Sequence, residues 1–223
     1  MSLIIKRFLS MPQPFIWKLY RRYMSQKRQY SYKGVKVRLQ PTVFHPALFF
    51  STKYLLDYLL NQNIKGKSVL ELGAGSGLIA LHCQKNAAIV TATDINPNAI
   101  EVMQNSAELN QLPIQVIKSD LFDDIPPQQF DLICINPPYY QGQPKDWWEK
   151  AFYCGPEFEY FHKLFEQIGA YMHKHTQVYM ILSIDCAIEH IASLAASNAL
   201  SWQQKDSRKI WGEWNYIFEL RRL

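Results

Sequence analysis

The chain has 223 residues, 48% hydrophobic and 19% charged, which is enough for one buried α/β core and too apolar for an unstructured chain. No stretch approaches the ~18 uncharged apolar residues of a membrane span, and Cys83, Cys134, Cys154 and Cys186 are too scattered for a zinc site or a disulfide framework. The net charge of +5 hides an asymmetry: Met1 to Leu56 contains no acid, and every Asp and Glu lies from Asp57 onward.

The first forty residues form a basic arm carrying Lys6, Arg7, Lys18, Arg21, Arg22, Lys27, Arg28, Lys33, Lys36 and Arg38. A basic arm on an acidic body points to a polyanion, with RNA, the ribosome or DNA as the leading choices. Two other readings stay open: an acid-free targeting segment, and an amphipathic helix docked on the domain or a lipid surface through Phe8, Phe15, Ile16, Leu19 and Tyr20. The arm reads as helical in patches, broken at Met11-Pro12-Gln13-Pro14 and Lys33-Gly34, with a short strand at Val35–Leu39. Residues 1–42 are taken as an extension and residues 43–223 as the domain.

A helix is expected from Phe49 to Leu60, then a strand at Ser68–Leu72 and a helix from Ser76 to Gln84. Strands follow at Ala88–Thr93, Ile114–Ile117, Phe130–Ile135 and Val178–Leu182, with helices at Pro97–Asn110, Glu157–His173 and Asp185–Ser197. This alternation implies βαβ units and a mainly parallel sheet with helices on both faces. Ser201–Ile210 and Glu213–Arg221 are joined only by Trp211-Gly212, so they should close the sheet as an antiparallel hairpin.

The first strand of the alternation runs into Glu71-Leu72-Gly73-Ala74-Gly75-Ser76-Gly77. Glycines here let the backbone press against a ligand at a helix N-terminus. The G-x-G-x-G spacing differs from the G-x-G-x-x-G of dinucleotide binders. Asp94, at the tip of the next strand, can take the two hydroxyls of a ribose. Lys65-Gly66-Lys67-Ser68 imitates the end of a phosphate-binding loop, but Asn61 stands where its first glycine belongs, so it reads as a solvated turn. Ser119-Asp120-Leu121 ends the third strand, where an Asp can accept from an adenine amine with an apolar neighbour packed on the ring, or equally cap the loop.

Asn136-Pro137-Pro138-Tyr139 follows the fourth strand, at the edge where doubly wound sheets bind ligands. The prolines remove two amide donors and stiffen the chain. Acceptors remain: the Asn136 side-chain oxygen and the Pro137 carbonyl. Pairing both N–H bonds of a planar NH2 group with fixed acceptors aims its lone pair at an electrophile, and Tyr139 offers a face for stacking. Such positioning can contribute ~7–11 kcal/mol without a metal.

With these motifs the sequence resembles the class I S-adenosylmethionine-dependent methyltransferases of the small methyltransferase domain group, which includes release-factor glutamine methyltransferases and N6-adenine and guanine-N2 RNA methyltransferases. The resemblance runs from about Val43 to the C-terminus. It implies a Rossmann-like seven-stranded sheet and S-adenosyl-L-methionine as cofactor. Glu71, Gly73, Ala74, Gly75 and Gly77 would cradle the methionine part and Asp94 the ribose. Ser119, Asp120 and Leu121 would hold the adenine, and Asn136, Pro137, Pro138 and Tyr139 would orient the acceptor. Val43–Pro46 with Phe49–Leu56 resembles a segment folded over the cofactor, and Cys154-Gly155-Pro156 a glycine-rich stretch of the glutamine enzymes. The expected activity is methyl transfer to a nucleobase amine in RNA, or alternatively to a glutamine amide of a release factor or ribosome-associated protein. A catalytically silent nucleic-acid-binding module is disfavoured by the intact motifs. A cytoplasmic protein without a metal site is expected. The aromatic insert from Tyr139-Tyr140 to Trp147-Trp148 reads equally as a substrate lid or as buried bulk.

Overall fold

The computed structural model describes residues 28–43, 45–46, 50–210 and 212–223. Residues 1–27, which carry most of the basic arm, lie outside the described residues, as do Phe44 and residues 47–49 of the expected cofactor-covering segment.

Seven strands form one sheet: β3 (Ser68–Leu72), β4 (Ile89–Asp94), β5 (Gln115–Lys118), β6 (Phe130–Ile135), β7 (Met172–Ser183), β8 (Leu200–Ile210) and β9 (Glu213–Arg222). Their order is β5-β4-β3-β6-β7-β9-β8. The first five run parallel, and β9 pairs antiparallel with both β7 and β8. The expected terminal hairpin is therefore present.

Strand alternation divides the core into two layers. Val69, Leu132, Cys134, Tyr179 and Ile181 face a cluster built with α1 (Phe50–Leu60), α2 (Leu78–Lys85) and α3 (Pro97–Asn110), through Leu55, Leu59, Leu81 and Met103. Leu70, Leu72, Ile133, Ile135, Val178 and Met180 face the other cluster, closed by α4 (Glu159–Ile168) and α5 (Ile188–Ser197) through Phe161, Leu164, Ile168 and Ile191. The loops after β3, β4, β5 and β6 gather at one edge between these layers.

Two expectations need correcting. Arg28–Tyr32 is a strand, β1, and not a helical patch; it pairs with β2 (Val35–Leu39) across left-handed Lys33 and Gly34. Buried Val35, Val37 and Leu39 anchor this hairpin in the first cluster. Its outer edge is capped from α3, where the Arg38 amide donates to Ser106 Oγ at 2.9 Å and the Lys36 amide to Asn110 Oδ1 at 2.9 Å. The second correction concerns the helix expected to reach His173. It stops at Ile168, passes through one 3-10 turn at Gly169–Tyr171, and β7 begins at Met172. Thr176 Oγ1 accepts from the His173 amide at 2.8 Å and donates to the Phe130 carbonyl at 2.6 Å, tying this segment to β6 where the pairing register shifts.

Candidate active site

The glycine turn leaves β3 at Leu72, and Gly73 and Gly75 are both left-handed. Asp94 organises it. Its two carboxylate oxygens each accept a backbone amide at 2.8 Å, from Gly75 and from Asn96. The Ala74 amide donates to the Thr93 carbonyl at 2.8 Å, which fixes the turn against the tip of β4. Glu71 is buried behind the turn and accepts from the Ala80 amide of α2 at 2.7 Å. Burial pushes its carboxyl up to about 8. Burial also raises Asp94, against the opposing pull of its backbone hydrogen bonds.

After β5, Ser119 folds the chain back on itself. Its hydroxyl donates to the Leu121 carbonyl at 2.8 Å and accepts from the Asp124 amide at 3.0 Å, with Leu121 left-handed. Asp120 is not bare: Lys163 of α4 holds its carboxylate at 2.8 Å and that of Asp123 at 2.7 Å.

Asn136 follows β6, and its amide nitrogen donates to Ser51 Oγ at 3.3 Å and Thr52 Oγ1 at 3.2 Å, both in the first turn of α1. With the nitrogen spent on α1, the oxygen is the atom left for a ligand. Tyr139 meets Tyr140 edge-on, ring centroids 4.8 Å apart, and burial holds its phenol well above the ordinary tyrosine range. The insert beyond closes on itself. The Tyr140 amide donates to the Phe152 carbonyl and that of Cys154 to the Tyr140 carbonyl, each at 2.9 Å, while Gly142 and Gly155 exchange amides at 3.2 and 3.1 Å.

A cavity of about 600 Å³ joins these parts, within the range of small-molecule sites. Glu71, Gly73, Ala74, Gly75, Asp94, Ser119, Asp120, Leu121, Asn136, Pro137, Pro138 and Tyr139 all line it. Gly77 does not; it precedes the first turn of α2. Thr42, Val43, Phe50 and Gly155 also line it, so described parts of both resembling segments reach the cleft. Sequence reasoning covered Ser51 and Thr52 only within the segment Phe49–Leu56 and did not pick out Lys163, Glu213 or Asn215, although all five line the cavity. Adjacent hydroxyls at the buried start of an apolar helix were the one available signal for Ser51 and Thr52. Glu213, at 7% exposure a buried carboxylate, accepts from the Ser183 hydroxyl, a pairing across β9 and β7 that spacing does not show.

The family model described as Methyltransferase small domain matches residues 34–152. A Methanocaldococcus jannaschii protein, provisionally named a protein N5-glutamine methyltransferase, is 40% identical over 108 residues, covering 48% of this chain and 52% of that protein. The ribosomal RNA small subunit methyltransferase C of Haemophilus influenzae (strain PittGG) is 41% identical over 104 residues, covering 46% of this chain and 31% of the relative. The chain thus spans about half the length of the first relative and about a third of the second. A solved methyltransferase from Pyrococcus furiosus superposes with a TM-score of 0.67 over 94% of this chain and 98% of that one, at 19% identity. That likeness shows the fold.

Proposed function

The chain belongs to the Methyltransferase small domain family, and on that premise we propose that it moves a methyl group from S-adenosyl-L-methionine to a planar NH2 nitrogen, the exocyclic amine of an RNA base. One observation carries the reading: the Asn136 amide nitrogen is held by Ser51 and Thr52, while the residue lines the same cavity as the glycine turn.

The residues present fit the cofactor. At Gly73 no heavy atom lies within 4 Å of where a Cβ would stand, so the turn is open to a ligand there. Asp94, fixed by two amides, would take the ribose hydroxyls, with Glu71, Gly73, Ala74 and Gly75 shaping the methionine end and Ser119, Asp120 and Leu121 the adenine end; left-handed Gly77 would contribute only by starting α2 behind the turn. When bound, the cofactor supplies an electrophilic methyl group. The Asn136 oxygen and Pro137 carbonyl would accept the two N–H bonds of the amine, stabilise positive charge growing on nitrogen, and leave its lone pair aimed along the cleft. Pro138 would keep that segment stiff, and Tyr139 would support the flat face of the acceptor. An RNA base inside a duplex would have to leave its stack to enter.

The basic arm and the methyltransferase C relative favour RNA. A second reading, transfer to a glutamine amide of a release factor or ribosome-associated protein, is favoured by the Methanocaldococcus relative. Among the described residues no helix is long and apolar enough to cross a membrane, and the four cysteines are free thiols; a cytoplasmic setting is part of the proposal. Of the extension drawn to residue 42, residues 1–27 are proposed as the RNA-contacting part, while the hairpin Arg28–Leu39 packs into the domain core. Incubation with methyl-labelled cofactor and cell extract tests the acceptor: label in RNA is expected, and label confined to protein moves the assignment to the second reading.

A further inference from the structure

Two aromatic rings that line the cleft carry a lysine ammonium over their faces. In the insert, Lys150 Nζ lies 4.6 Å from the centroid of Trp147; at the start of α1, Lys53 Nζ lies 4.3 Å from that of Phe50. Trp147 is 38% exposed, so its ring can be reached from the cleft. The insert's acids do not neutralise this arrangement by facing the cations. Glu149 accepts from the Lys145 amide and Asp146 from the Glu149 amide, each at 2.8 Å, so both carboxylates are turned into their own backbone.

A nucleotide is a flat base joined to an anion, and each pair offers a flat ring beside a cation. We propose that Trp147 with Lys150, and Phe50 with Lys53, are two grips for the single-stranded RNA that flanks the methylated nucleotide: the rings stack on bases and the ammonium groups meet phosphates. This rests on the RNA reading above and adds to it the strand state of the substrate and the residues that hold it. A protein loop presenting a glutamine needs neither bases to stack nor a row of phosphates.

The test is fluorescence anisotropy of the full chain with a labelled oligoribonucleotide of about ten nucleotides, in a salt titration. Trp147→Ala is expected to weaken binding roughly tenfold, within the range of a base–aromatic stack. Lys150→Gln and Lys53→Gln should each reduce the slope of log affinity against log salt by about 0.7, the value for one phosphate on a single strand. Cofactor affinity should stay unchanged in all three variants. Wild-type affinity and slope in Trp147→Ala and Lys150→Gln would overturn the proposal, as would equal competition by a polyglutamate peptide, which would reveal charge without stacking. The two readings fail separately: label in protein alone defeats the RNA assignment, whereas labelled RNA with unaffected variants defeats only the grips.

Discussion

Asn136 is held at the cleft by two hydrogen bonds, its amide nitrogen donating to the hydroxyls of Ser51 and Thr52. Ser51→Ala combined with Thr52→Val should therefore lower kcat by roughly tenfold, the loss of one or two neutral hydrogen bonds, with cofactor affinity retained; an unaltered kcat would remove the orienting role. In the proposed reaction Asp94 would hold the other partner, the cofactor. Asp94→Ala should weaken cofactor binding by roughly tenfold or more, since it deletes a charge-assisted anchor and frees the Gly75 and Asn96 amides; calorimetry showing wild-type affinity would contradict ribose contact. Glu71 bears on stability. Its folded-state carboxyl is raised to about 8 by burial from a usual 4.5, so the native state binds a proton that the unfolded chain releases. Its contribution is fully present below about 4.5 and declines as pH rises to about 8. Thermal melts of the cofactor-free protein should show Glu71→Gln flattening the decline between these values, and an unchanged slope would mean the carboxyl titrates normally.

At the scale of elements, the buried strands were easy to read because parallel strands covered on both faces are nearly continuous apolar runs: Phe130–Ile135 has the limits expected of it. The helix at Pro97–Asn110 was equally plain, since Asn96 caps it by accepting from the Asn98 amide and Pro97 opens it. Arg28–Tyr32 was missed because its strand is only half buried and its partly covered residues are polar or aromatic. The overlong helix before β7 shared that cause: His173, Lys174 and His175 carry no apolar alternation to mark a strand. In the site, the glycine turn, Asp94 and Asn136 were legible because each is a local pattern at a strand end. The hydroxyls that orient Asn136 are 84 and 85 residues away in sequence, a pairing visible only after folding, and the Lys163 grip on Asp120 is likewise a product of packing. The insert depends on one further local feature. Gly155 has φ +97, and a Cβ there would collide with Glu159 Oε2. Gly155→Ala should cost about 1–3 kcal/mol and loosen the cleft wall, lowering Tm; a melt identical to wild type would show that Glu159 moves aside freely.

Across the whole molecule, acid-free and acidic regions divide the work as proposed. The sheet edge collects the glycine turn and Asn136-Pro137-Pro138-Tyr139 into one cavity, and on the RNA proposal the basic N-terminal region would attract the polyanion from a distance. Because β1 and β2 are packed into the core, the arm to be removed ends before Arg28. Loss of residues 1–27 should flatten the salt dependence of RNA binding while leaving cofactor affinity intact; an unchanged slope would assign the attraction to the domain alone. The central claim is that cofactor and acceptor meet in the cleft shared by the glycine turn and Asn136. The direct measurement is made on Asn136→Ala: cofactor affinity by calorimetry beside single-turnover methyl transfer to whichever fraction of extract the wild type labels. Near-wild-type affinity with transfer reduced by roughly a hundredfold or more, the scale of a lost transition-state acceptor, is expected. Full transfer by that variant would contradict the account.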